Sequence, residues 1–148
     1  MTIAGGMKGK VSTLTKSAFI LNLEEGTLVQ VGELKKARIK ASCIFFENKV
    51  VLVANAGRGS RKGETEIFED EAWREGPLFP APIQDQGSLA VVKDNLFFSD
   101  KDNLYKLNKN WSAWEVTKAE DLKSEASLPL ASLILKSNTD LCSFKMAK

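Results

Sequence analysis

Short apolar or alternating runs, each about the length of a strand and most closed by turn-forming residues, fill the chain: AFILNL, TLVQVG, CIFFE, VVLVA, TEIFE, SLAVVK, NLFFS, NLYKL, WSAWEV, ASLILKS and DLCSF. They are rich in β-branched and aromatic residues, which suit a pleated, half-buried surface, and pairs such as Glu25-Gly26, Asn48-Lys49 and Asp94-Asn95 separate them. Only the charged stretch from Lys118 to Glu125 offers a helix, and it reads better as a loop. The pattern predicts an all-β chain whose 148 residues form a single domain.

Strands at such close spacing invite a search for repeats. GSLAVVKDNLFFSDKD, from Gly87, aligns with ASLILKSNTDLCSFKM, from Ala131, and with ASCIFFENKVVLVANAG, from Ala41. Each copy runs from a small residue and a serine through an apolar strand and a polar turn into a second apolar strand. Ser42, Ser88 and Ser132 become equivalent at a period of about 45 residues, the length of a four-stranded propeller blade. The copies continue with a third strand and a large apolar residue, Phe68 to Trp73 and Leu107 to Trp111. A shorter copy precedes them, in MTIAGG, AFILNL and Leu28. The chain is therefore expected to begin inside one blade, cross two complete ones and end in the first two strands of another.

These residues resemble the kelch family, in which a hydrophobic strand ends in two glycines and an aromatic residue and a tryptophan follow. MTIAGG carries Gly5 and Gly6, TEIFEDEAW carries Phe68 and Trp73, and NLYKLNKNW carries Tyr105 and Trp111. ELKKARIKASCIFF is similar to the kelch connection between blades, where an arginine precedes a small residue and the next innermost strand. The pattern departs from the family at Ala54-Asn55-Ala56-Gly57 and at Ser99-Asp100, where a diglycine would stand. The resemblance implies kelch-like blades of four antiparallel strands, about three per chain, with Trp73 and Trp111 as packing between blades. Three blades cannot close a ring, so a homodimer of about six is expected.

Composition removes several function classes. The chain has no histidine, so histidine-based triads, histidine-ligated metals and imidazole general bases are absent. A net charge of +2 is too small to advertise nucleic acid, and no apolar run approaches the roughly 20 residues of a membrane helix. The reading is a cytoplasmic protein with no catalytic residues, no cofactor, no metal, no nucleic-acid partner and no membrane partner. Cys43 and Cys142 fall in apolar strand-like runs and are expected as reduced thiols.

The most conspicuous loop is GRGSRKG, where Arg58, Arg61 and Lys62 lie among glycines between two strands. Glycine amides and guanidinium groups suit an anion, although the order is not that of a P-loop, and a solvated hairpin loop is the plain alternative. Ser99-Asp100-Lys101-Asp102-Asn103 starts like a calcium loop but lacks its glycine and terminal glutamate, so a polar turn is the better reading. Acidic EIFEDEAWREG reads as a solvated turn. The expected function is a non-catalytic protein-binding scaffold that associates with itself and contacts another protein through loops including Arg58, Arg61 and Lys62. The alternative is a small-molecule binder or enzyme using the central channel of the assembled ring; the apolar innermost strands CIFF, SLAVV and SLILK speak against it.

Overall fold

The computed structural model describes residues 2–5, 7–8, 13–38, 41–55, 63–81, 83, 87–100 and 103–118. Over these residues the protein is all-β, in antiparallel sheets of two to four strands. Among the described residues no helix is long and apolar enough to cross a membrane.

The first sheet holds β1 (Thr2–Ala4), β4 (Ser17–Asn22) and β5 (Thr27–Glu33), in that order. Between β1 and β4 the chain makes a small hairpin, β2 (Met7–Lys8) with β3 (Thr13–Leu14), which the repeat pattern does not foresee. A second sheet runs in sequence order through β6 (Ser42–Phe46), β7 (Lys49–Asn55), β8 (Gly63–Glu69) and β9 (Ala72–Glu75). The third repeats this plan with β10 (Ser88–Val92), β11 (Asn95–Ser99), β12 (Leu104–Leu107) and β13 (Trp114–Thr117). Ser42 and Ser88 each open the first strand of a four-stranded sheet, as the repeat requires. Ser132 lies outside the described residues.

Three hairpins turn through two residues at positive φ: Glu47 and Asn48 (46° and 61°), Asp70 and Glu71 (50° and 60°), and Lys93 and Asp94 (43° and 59°). Such turns carry the twist that suits the flanking strands. The expected turn pairs Asn48-Lys49 and Asp94-Asn95 therefore sit one residue too late. Lys49 and Asn95 are the first residues of β7 and β11, paired with Phe46 and Val92. Sequence favours Asn and Asp at positive φ, but the pairing register forces Glu47 and Lys93 there as well.

The middle sheet is buried on both faces. Along β7, Val50, Leu52 and Ala54 join Ala4, Ala18, Leu34, Ala41 and Trp73 in one cluster. The alternate residues Val51 and Val53 join Leu89, Leu96, Phe98, Tyr105, Leu107 and Trp114 in another. Successive side chains on a strand point to opposite faces, so a strand covered on both sides reads as an unbroken apolar run, as VVLVA does. The three sheets thus stack face to face in chain order. Ser42 ties two of them at their first strands, its Oγ accepting the Leu89 N–H at 3.1 Å.

The connection after β9 supplies a wedge to the second cluster. Phe79 stacks on Trp114 with centroids 4.9 Å apart and meets Tyr105 and Phe98 edge-on at 5.0 and 5.2 Å. Trp114 Nε1–H donates to Thr65 Oγ1 at 2.8 Å, so the buried indole bridges the sheets and keeps its polar atom satisfied. The register corrects one assignment. Phe68 pairs with Trp73, and the same place in the next sheet is the pair Leu107 with Trp114, so Trp114 and not Trp111 is the counterpart of Trp73. The β12–β13 loop is longer than the β8–β9 turn, which shifts the match.

Cys43 is disulfide-bonded, against the expectation of a reduced thiol. It sits half-buried on β6, the first strand of its sheet, packed against the first apolar cluster. Cys142 lies outside the described residues.

Leu52 is fully buried and Leu78 is 70% exposed. Leu52→Ala is expected to lower stability by about 2–5 kcal/mol, whereas Leu78→Ala should fall within about 0.5 kcal/mol of the unsubstituted protein, both read from urea unfolding. Among the described residues the buried Tyr105 hydroxyl has no hydrogen-bond partner, and its burial, with the Asp100 charge adding, pushes the phenol pKa up. Removing an unpaired hydroxyl costs no hydrogen bond, so Tyr105→Phe should leave the urea midpoint unchanged or raise it. A marked loss would show that the hydroxyl is satisfied in solution.

Candidate functional site

β7 ends at Asn55 and β8 begins at Gly63, and these two residues pair, so the segment carrying Arg58, Arg61 and Lys62 closes the β7–β8 hairpin. Arg58, Arg61 and Lys62 themselves lie outside the described residues. Gly63, at the foot of that hairpin, has no room for a side chain, because a Cβ there would strike the Ile83 side chain. The loop therefore springs from a packed base. In the next sheet the equivalent connection is the turn from Asp100 to Asn103, where Asp100 N–H donates to Asn103 O at 3.0 Å and Asp100 Oδ1 accepts Asn103 N–H at 2.7 Å. One Asp100 oxygen is committed to holding the turn, as the reading of a polar turn expects. Lys101 and Asp102 lie outside the described residues.

The first half of β8 carries an ionic network that no local sequence pattern marks. Arg38, 1% exposed, donates from Nε to Glu66 Oε1 at 3.0 Å and from Nη2 to the same oxygen at 2.9 Å. The fully buried Glu66 uses its other oxygen to accept the Lys35 N–H at 2.7 Å. Arg38 Nη2 also reaches Glu64 Oε2 at 2.5 Å, and Lys36 Nζ holds Glu64 Oε1 at 2.7 Å. The result ties the connection after β5 to the first half of β8. Taking charges out of water is costly, and this arrangement is tolerable because Arg38 Nε and Nη2 and both Glu66 oxygens are engaged.

Gly5 completes the site. Its φ is +74°, and a Cβ would approach the Arg38 carbonyl oxygen to 2.7 Å. Its N–H donates to Ser17 O at 3.0 Å. The first glycine of MTIAGG thus permits a left-handed turn and lets the backbone lie against Arg38, a role no L-residue fills without displacement. Two features noted separately in the sequence, the first glycine of MTIAGG and the arginine of ELKKARIKA, meet here in space.

The opposite end of the sheets carries a second polar cluster. Trp111, at φ +59°, donates from Nε1 to Glu47 Oε2 at 2.9 Å and stacks on Phe46 at 5.7 Å. Lys49 Nζ lies 4.8 Å from the indole centroid and 3.1 Å from Glu69, which Arg74 also holds. The Arg74 hydrogen bond, followed by that of Lys49, holds the Glu69 carboxyl below its ordinary range. Trp111 therefore clasps the second and third sheets at their turns. A bulky residue at positive φ is unusual, and here the Asn108 side chain holds the loop by accepting the Ser112 and Ala113 N–H groups at 2.9 and 3.2 Å.

Compared with family models and with curated proteins, the chain matches none.

Burial raises the Glu64 pKa, but hydrogen bonds from Lys36 and Arg38 together with their charges outweigh it, so the carboxyl ends below its ordinary value of 4.5. A depressed carboxylate contributes stability that is full above 4.5 and is lost as the pH falls through the lower, folded value. Stability should therefore drop on acidification below that point, and Glu64→Gln should flatten this part of the urea-midpoint profile. Arg38→Met leaves the buried Glu66 without its charged partner and is expected to cost about 3–5 kcal/mol at neutral pH in the same measurement.

Proposed function

We propose that this chain is a non-catalytic protein-binding scaffold of kelch type, that its stacked sheets act as propeller blades, and that it associates with a second copy to complete a ring. The observation that carries the reading is the stacking of two four-stranded meanders in chain order, with Ser42 of one first strand linked to the Leu89 amide of the next. Stacking of this kind buries both faces of a middle sheet and leaves each outer sheet in need of a neighbour, a need that closure around an axis satisfies. Among the described residues the first sheet has three strands where the others have four, which favours a further strand added to it. Phe45 and Val91, at matching places on the first strands, are exposed apolar residues, a poor lining for a polar small molecule.

In this reading the loop of Arg58, Arg61 and Lys62 stands at one mouth of the ring, on the base provided by Gly63, and meets an acidic surface of another protein. Light scattering on a gel-filtration peak should give about twice the 16.3 kDa chain mass, with and without reductant; a stable monomer would sink ring closure. Retention of a partner from an extract should weaken at least tenfold in the Arg58→Glu, Arg61→Glu double variant. Unchanged retention would remove the loop from the binding surface.

A further inference from the structure

β5 is the last strand of the first sheet, and among the described residues no strand pairs with its outer edge. Nearly all of it is exposed, and the β4–β5 hairpin gathers an apolar surface: Leu23 is 73% exposed, Val29 56% and Leu28 45%. Val29 pairs with Ile20 and Leu28 with Leu21, so apolar side chains stand on both faces beside the open edge. Soluble proteins usually blunt such an edge with a lysine, a proline or a bulge. From Thr27 to Gln30 there is none of these; the register shift and the positive φ of Gly32 come only at the far end of the strand, where Trp73 Nε1–H already takes the Val31 carbonyl at 3.1 Å. The outer strands of the other two sheets each bury a tryptophan, Trp73 and Trp114, and expose fewer large apolar residues, Val116 on β13 being one at 60%.

The β4–β5 hairpin itself carries charge of one sign. Glu24 and Glu25 form the turn, Asn22 Oδ1 accepts the Glu24 N–H at 3.0 Å to hold it, and no lysine or arginine occurs between Ala18 and Gly32. We infer that Thr27–Gln30 is a docking edge for an extended peptide segment of a partner protein, one that alternates apolar and basic residues. The peptide adds a strand to β5 through main-chain hydrogen bonds, its apolar side chains cover Leu28 and Val29, and its basic residues lie beside Glu24 and Glu25. This surface is distinct from the Arg58–Lys62 loop and does not depend on ring closure.

The test uses the full chain and three capped nine-residue peptides: alternating valine and lysine, alternating valine and glutamate, and the valine–lysine peptide N-methylated at alternate residues. Fluorescence anisotropy should show saturable binding of the first, and at least tenfold weaker binding of the other two. Glu24→Lys with Glu25→Lys should reverse the charge preference, and Val29→Lys, a change at an exposed position, should weaken the valine–lysine peptide at least tenfold while circular dichroism stays unchanged. Equal binding of the N-methylated peptide would overturn strand addition, and equal binding of the glutamate peptide would overturn the basic partner. If no peptide binds and Val29→Lys instead dissociates a dimer, the edge is a contact between copies and the inference fails. Failure of ring closure alone would show as a monomer that still binds the valine–lysine peptide.

Discussion

The buried contact between Arg38 and Glu66 sets the geometry on which the rest of the structure depends. β8 carries Glu66 within the middle sheet, and Arg38 belongs to the connection that leads from the first sheet into that sheet. A carboxylate in the interior demands its donors in fixed places, so the segment from Leu34 to Arg38 has little freedom. Leu34 is thereby seated in the first apolar cluster, and the backbone at Arg38 is brought against Gly5. One ionic contact thus coordinates the end of β5, the start of β8 and the turn after β1.

Apolar packing then propagates the arrangement along the chain. β7 has no solvent face, so the sheets on either side of it must both be present for its residues to be covered. Phe79 and Trp114 perform the corresponding task between the second and third sheets, with the Trp114 indole satisfied by Thr65. At the turn end, Trp111 adds a polar clasp through Glu47. The stack is therefore held by apolar faces in the middle and by directional hydrogen bonds at its ends, which fix how one sheet lies on the next.

Much of the fold was legible because strands write their periodicity directly into sequence. Ser42 and Ser88 marked the starts of two sheets, and VVLVA stood out as a strand, which the structure covers on both faces. The candidate site was less legible. Arg38 was visible as part of a connection, but Glu64 and Glu66 lie far from it in sequence, and Glu66 falls in the acidic segment EIFEDEAWREG read as a solvated turn, whereas it is a fully buried residue of β8. Their pairing depends on contact between elements some 26 to 28 positions apart, which no local pattern records. Trp111 misled for the opposite reason, since it stands where a repeat would place a packing tryptophan while the register gives that place to Trp114.

By itself, the sequence determined that the chain is built of short strands, that they repeat in groups, and that histidine chemistry has no part in it, because these follow from residue identity and local spacing. Tertiary structure alone decided the rest: which face of each sheet is covered, which tryptophan fills the place beside Leu107, and that Cys43 is bonded. It also decided that a buried arginine and glutamate far apart in sequence, Arg38 and Glu66, share a site with the partly exposed Glu64. The physical reason is that burial and charge pairing depend on distances through space, and those distances exist only once the sheets are stacked.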